Sequence, residues 1–241
     1  MNTSTLRQNS TSETAQANST GLSADELQKL NEKYIKLSIE KRITSLYDDF
    51  SPDKVMLTSS FAATSAYLLH IFSQYAPQQK VFFIDTGYHF PETLRYKEAL
   101  TKRFNLNVVD IRAEEWKHEF TKNDETYKKD PDFCCSINKV EPLYEVKEGF
   151  QVWASGLMSW QTEHRSTLDI FEERSGIIKF YPLLDVSKEE RDAYIKEHAL
   201  PFHPLVSQGY WSIGCSHCTV AGEDRKGRWN NSPKTECGLH L

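Results

Sequence analysis

Short apolar runs separated by helix-patterned sequence constrain this chain more than any other feature. Val55-Met56-Leu57, Val81-Phe82-Phe83-Ile84 and Val108-Val109-Asp110-Ile111 are each four residues or fewer. Between them lie a helical stretch through Ala66, Leu69 and Phe72 and a second from Pro91 to Arg103, where proline suits the first turn. Gln151-Val152-Trp153-Ala154 and Ile177-Ile178-Lys179-Phe180 are later strand candidates, and Lys188 to His198 reads as a helix with Ser187 as its N-cap. Strands alternating with helices imply βαβ units, hence an α/β fold with a mostly parallel sheet sandwiched by helices. Ligands of such sheets bind beyond the carboxyl ends of the strands. The turns at 58–65, 85–91 and 155–165 are therefore expected to line one crevice.

Residues 1–22 are rich in Ser, Thr, Asn and Gln and are expected to be a disordered tail, because they bring too little apolar surface to offset their ordering entropy. Ser23 with Glu26 fits a capping box, and Leu27, Leu30, Tyr34 and Leu37 follow at helical spacing. The main α/β body is assigned to 23–222 and a mobile carboxyl-terminal segment to 223–241. The net charge of −5 argues against a general nucleic-acid binder. No apolar run approaches the roughly 20 residues of a membrane span, and no apolar region follows the start as in a secretory signal. The expected compartment is the cytoplasm, where disulfides are rare and cysteines are better read as metal ligands or reactive thiols.

Four of the five cysteines form two pairs, Cys134-Cys135 and Cys215-x-x-Cys218; the fifth, Cys237, stands alone near the end. Four thiolates suit zinc or an iron–sulfur cluster. Adjacent cysteines diverge around a single ion more than around a larger cubane, whose corners lie farther apart. A redox dithiol beside two buried cysteines, or a strained vicinal disulfide, is the structural alternative. Cys237 has Lys234, His240 and an upstream basic turn as thiolate stabilisers, opposed by Glu236. With Gly238 beside it, Cys237 could reach a substrate and then present an adduct elsewhere; an inert terminal thiol is the bland alternative.

Two further segments suit an anion. Thr58 to Ser65 (TSSFAATS) follows the first strand and opens a helix, placing backbone N–H groups and hydroxyls at a helix N-terminus. It has no lysine and lacks the Gly-x-x-x-x-Gly-Lys-Ser/Thr pattern, which weighs against ATP cleavage; a simple helix cap would read the same way. Arg225-Lys226-Gly227-Arg228 puts three cations in four residues, either a phosphate or sulfate grip or a solvated basic turn.

Taken in order, these motifs resemble the assimilatory adenylyl-sulfate and phosphoadenylyl-sulfate reductases over nearly everything after the first 50 residues. The resemblance rests on Ser59-Ser60-Phe61, on 85–93 (DTGYHFPET), on 134–143 (CCSINKVEPL), on 209–219 (GYWSIGCSHCT) and on 236–240 (ECGLH). It implies a fold like the adenine nucleotide α-hydrolase (PP-loop) group. It implies that Cys237 attacks the sulfur of a sulfonucleotide to give an S-sulfocysteine, which thioredoxin or glutaredoxin thiols resolve to sulfite. All four paired cysteines are present, so the chain resembles the branch that carries a [4Fe-4S] cluster and takes adenosine 5'-phosphosulfate. Phosphoadenylyl sulfate, or both nucleotides, is the alternative substrate. By the matching motifs, Lys139 should lie between cluster and sulfate. Arg225, Arg228 and His240 should hold sulfate and phosphate, Ser59 and Ser60 should line the nucleotide site, and Arg165 should lie near ribose or phosphate. Self-association into a homo-oligomer is left open.

The chain departs from the family pattern in places. Ala62 stands where a glycine is common, which bears on backbone approach to the nucleotide. Met158 and Ser159 occupy a stretch that is usually arginine-rich, of which Gly156, Leu157, Gln161 and Arg165 fit. The loop from Cys218 to Arg225 is short, and His217 sits inside the Cys-x-x-Cys. Two other readings use the same residues: a zinc-bound nucleotide-binding protein without turnover, and an ATP-dependent tRNA-thiolating enzyme, which the missing Lys-Asp pair in the Ser/Thr turn disfavours.

Overall fold

The structure is a computed structural model and describes residues 22–223, 225–229, 236, 238 and 239. Two helices open it, α1 (Ala24–Tyr34) and α2 (Ile39–Asp49). The Ser23–Glu26 capping box is present, but the helical spacing through Leu37 does not continue as one element. Ser38 accepts the Lys41 N–H and starts a second helix. There follow β1 (Val55–Thr58), α3 (Ser65–Tyr75), β2 (Lys80–Ile84), α4 (Pro91–Phe104) and β3 (Asn107–Ile111). Next come the short helices α5 (Glu115–Asn123), α6 (Thr126–Lys129) and α7 (Pro131–Cys135), a π-helical segment Ser136–Val140, and α8 (Glu141–Lys147). The chain returns as β4 (Val152–Ala154), α9 (Glu163–Ser166), β5 (Phe171–Arg174), β6 (Ile177–Phe180) and α10 (Lys188–Glu197), which Ser187 caps as expected.

The six strands form one sheet in the order β3-β2-β1-β4-β6-β5. All neighbours are parallel except β5 and β6. Strand β5 escapes a reading by hydropathy because Phe171 is followed by Glu172, Glu173 and Arg174, charges that suit an exposed edge. Ser175 and Gly176, at φ of 55° and 71°, make the two-residue hairpin turn between β5 and β6, which requires positive φ at both positions.

Side chains alternate across the sheet with period two. Val55, Leu57, Val81, Phe83, Val152, Ala154, Ile178 and Phe180 face a large core closed by α1–α4 and α10. Met56, Phe82, Trp153 and Ile177 face the opposite side, where Leu143 of α8 and Leu239 of the carboxyl-terminal segment cover them. The helices on both sides make this the sandwiched α/β architecture that the sequence implies. Because β2 and β4 flank β1 on opposite sides, the topology reverses at β1, and the chain leaving β1 opens a crevice there.

Candidate functional site

A cavity of about 230 Å3 fills that crevice. All three turns foreseen for it contribute: Ser59, Ser60 and Ser65 after β1, His89 after β2, and Ser155 to Arg165 after β4. The turn after β1 is built around Phe61, a non-glycine residue at φ 47° whose ring is fully buried and packs edge-on against Phe83. Left-handed backbone at a bulky residue is strained and persists only where the surroundings fix it. Ser59 Oγ accepts the Phe61 N–H at 3.2 Å and Ser65 Oγ accepts the Ala62 N–H at 2.8 Å. The positive φ falls on Phe61 and not on Ala62, so alanine at the position where a glycine is common carries no backbone strain.

The four paired cysteines come together in a second, smaller pocket beside the first. Helix α7 ends on Cys134 and Cys135, and the loop after β2 brings Cys215 and Cys218 to them. His89 and Cys215 pair as an isolated antiparallel bridge, Ser216 N–H donates to Tyr88 O at 2.7 Å, and Thr86 Oγ1 lies 3.3 Å from Cys215 Sγ. Gly87, at φ 73°, is needed here, since a Cβ on it would fall 2.7 Å from His118 Nε2. His118 Nδ1 in turn meets Asn138 Oδ1 at 2.9 Å, while Asn138 Nδ2 donates to Thr121 Oγ1 and to the Cys134 carbonyl. His217, inside the Cys-x-x-Cys, stacks on Tyr127 with ring centroids 4.0 Å apart.

All four thiols are free of disulfides. Burial, then the neighbouring thiols, push Cys134 up to about 12 and Cys218 to about 11. Such an apposition resists ionisation unless a cationic centre neutralises it. Among the described residues, no group of three or more His, Cys, Asp or Glu side chains closes on a point a single metal ion could occupy. Four apposed thiols are a donor set that either a zinc ion or an iron–sulfur cluster can use.

Lys139 lines both cavities, as does Cys215. The π-helical segment after the cysteine pair carries Lys139 there. Arg225 and Arg228 also line the main cavity, and both stand near Trp229, at 5.6 and 4.3 Å from its ring. Arg228 Nη1 donates to the Ile213 carbonyl. Gly214 leaves room for this guanidinium, because a Cβ there would fall 2.5 Å from Arg228 Nη2.

Arg165 lines the cavity too, but it is buried and grips Glu236 with two hydrogen bonds, Nε to Oε1 at 2.8 Å and Nη2 to Oε2 at 2.9 Å. Gln161 Oε1 takes a third, from Nη1. Thr162 Oγ1 and Arg225 Nη2 also donate to the Glu236 carboxylate, at 2.9 and 3.1 Å. Burial alone would raise Glu236, but the Arg165 hydrogen bonds and the charges of Arg165 and Arg225 hold it below its ordinary value. Two of the expected anion-binding arginines thus meet a carboxylate of the chain itself. Cys237 and His240 lie outside the described residues, whereas Leu239 lines the main cavity.

Met158 is almost fully buried in the core and lines the cavity as an apolar wall, in the stretch where the resemblance implies arginines. His89 and Trp153 line the cavity, Glu236 meets two of its arginines and Lys179 stands at the Trp153 ring, roles that the sequence reading did not assign. Burial lowers His89; its Nε2 lies 3.0 Å from the Ile84 carbonyl, and its Nδ1 is buried without a hydrogen-bond partner among the described residues. Lys179 carried the clearest available signal, a charge in the middle of the buried strand Ile177–Phe180.

Residues 54–221 match the family model described as the phosphoadenosine phosphosulfate reductase domain. The chain is 40% identical over 197 residues to the adenosine 5'-phosphosulfate reductase of Mesorhizobium japonicum, covering 78% of this chain and 77% of that one. It is 37% identical over 199 residues to the phosphoadenosine 5'-phosphosulfate reductase of Gloeobacter violaceus, covering 78% and 83%. Among solved structures, a phosphate complex of the phosphoadenylyl-sulfate reductase of Candida auris superposes with a TM-score of 0.73 at 28% identity, over 84% of this chain and 100% of that one.

Proposed function

The chain belongs to the phosphoadenosine phosphosulfate reductase family, and on that premise we propose that it reduces adenosine 5'-phosphosulfate to sulfite and AMP through a covalent adduct on Cys237. The reaction class, an oxidoreductase of sulfate assimilation acting on a sulfonucleotide, follows from the family. The observation that carries the finer reading is the wall common to the two cavities, where Lys139 and Cys215 touch both the main cavity and the four-thiol pocket.

In this reading Ser59, Ser60 and the N-terminus of α3 receive the nucleotide phosphate. Lys139 and Arg228 face the sulfate, with Arg165, Arg225 and His240 completing the anion site. The Cys237 thiolate attacks the sulfate sulfur. The bond from that sulfur to the bridging oxygen breaks, and its electron pair leaves with AMP, so cationic side chains around the phosphate favour departure. A thiolate of thioredoxin or glutaredoxin then attacks Cys237 Sγ and expels sulfite with the S–S electron pair. The partner's second thiol displaces Cys237, which regains its proton, and the partner's two thiols supply the two electrons that take sulfate sulfur to sulfite. Cys134, Cys135, Cys215 and Cys218 would hold a [4Fe-4S] cluster, whose iron would keep four apposed sulfurs ionised and set the field at Lys139.

The apolar Met158 wall and the Glu236 carboxylate leave fewer cations for an additional 3'-phosphate, which supports the unphosphorylated nucleotide. The phosphoadenylyl-sulfate reductases among the relatives favour the second reading, a 3'-phosphorylated substrate or both. Comparing kcat/KM for the two nucleotides decides between them, with preference for adenosine 5'-phosphosulfate expected. Mass spectrometry after a single turnover without reductant should find the sulfo group on the Cys237 peptide. Wild-type turnover by Cys237→Ser would refute the covalent route.

A further inference from the structure

The strand residue Lys179 is almost fully buried, on the sheet face it shares with Met56, Phe82, Trp153 and Ile177. Its ammonium lies 4.9 Å from the centre of the Trp153 ring and donates a 2.6 Å hydrogen bond to the backbone carbonyl of Leu239. The Leu239 side chain packs into the same apolar cluster. Three residues earlier in the chain, Glu236 is gripped by Arg165, Arg225 and Thr162. Between these anchors, Gly238 passes close to Val140, so that a Cβ on it would sit 3.5 Å from Val140 Cγ2, beside Lys139 in sequence.

A buried ammonium is costly unless its donors are used, and a charge-assisted hydrogen bond in a dry setting is among the stronger ones. One acceptor of Lys179 comes from the carboxyl-terminal segment itself, so docking of that segment and satisfaction of Lys179 favour each other. The carbonyl belongs to the backbone, so the bond fixes where the chain runs whatever side chain follows. Only Gly238 separates Leu239 from Cys237, and Glu236 precedes Cys237 directly, so both anchors restrict the cysteine through at most two peptide links.

We propose that Lys179 is a positioning residue for Cys237: with the Glu236–Arg165 pair it forms a two-point clamp that holds the carboxyl-terminal segment docked against the sulfonucleotide cavity. This rests on the reading of Cys237 as the nucleophile. Lys179 touches neither substrate nor the reacting thiol; it acts by keeping the segment seated, so its loss should lower kcat and leave KM for the sulfonucleotide unchanged.

The clamp can be tested without the sulfonucleotide. Cys237 in the full-length protein is alkylated with iodoacetamide, and the rate is followed on the Cys237 peptide by mass spectrometry. Lys179→Met should speed alkylation by about tenfold to a hundredfold, the range that loss of a hydrogen bond to a charged group gives. Lys179→Arg should restore much of the protection. Glu236→Gln, which weakens the other anchor and leaves the strand intact, should also speed alkylation and guards against misfolding of the strand variant. Wild-type alkylation rates in both folded variants would overturn the clamp, whatever happens to kcat. If wild-type enzyme gave no sulfo adduct on Cys237, the nucleophile assignment would fall, and the alkylation result would still report on the clamp.

Discussion

The Arg228 guanidinium lies over Gly214, so close that a Cβ there would stand 2.5 Å from Nη2. Glycine at this position of the Gly-Cys-Ser-His-Cys segment is therefore a matter of space for a neighbour's side chain. Gly214→Ala should displace the guanidinium, the movable end of a flexible side chain, and leave the fold nearly intact. We expect an unfolding free energy within about 1 kcal/mol of wild type. KM for the sulfonucleotide should rise by roughly tenfold, the size of one charge-assisted contact. Denaturant unfolding and steady-state kinetics check the two halves.

Lys139 reaches the main cavity and the four-thiol pocket from one backbone position. Lys139→Met should lower kcat/KM by about tenfold to a hundredfold through loss of an ammonium facing the sulfate. Iron and sulfide content should stay at the wild-type level, because the change removes no thiol. Metal analysis alongside kinetics separates the two effects.

Asn138 is buried and ties together His118, Thr121 and the Cys134 carbonyl. Asn138→Ala leaves those three groups without this partner. The cost should be about 2 kcal/mol, seen as a Tm lower by roughly 4 to 8 °C for a chain of this size. The cysteine-bearing helix should loosen first, so backbone amides of α7 should exchange with solvent faster than those of β1.

The Glu236 clamp has a defined pH window. Its carboxyl is held below its ordinary value of 4.5 by the hydrogen bonds and charge of Arg165 and the charge of Arg225. A depressed carboxyl contributes stability that is fully present above its unfolded pKa and is lost as pH falls through the folded one. The stability gap between wild type and Glu236→Gln should be about 3 kcal/mol at pH 6, as for breaking a buried pair. It should be level at higher pH and narrow as pH drops below 4.5. Denaturant titrations across that range measure it.

The sequence patterns conveyed the centre of the sheet well because β1, β2 and β4 are buried on both faces and read as short apolar runs. The hairpin partner β5 was missed for the opposite reason: an edge strand with Glu172, Glu173 and Arg174 has no such run. The three turns of the cavity were legible from chain order, since parallel strands put their carboxyl ends together. The meeting of the two cysteine pairs was legible as chemistry, and the structure adds the Gly87–His118–Asn138 contacts that align them. Glu236 as partner of Arg165 was not legible, because an ion pair between residues 71 apart leaves no local pattern. Lys179 could have been found from its place within a buried strand.

The π-helical turn Ser136–Val140 joins α7 to α8 without a loop. Each residue of an α-helix turns the chain by about 100°, and a π turn holds one residue more per turn, so forcing these same residues into α geometry would swing Lys139 around the axis relative to Cys134. The alignment between the thiol pair and the cation is thus encoded in chain length. Lengthening this stretch by one residue should be far more harmful than exchanging any exposed side chain within it, and grafting the paired-cysteine helix onto another scaffold would require transplanting the turn with it.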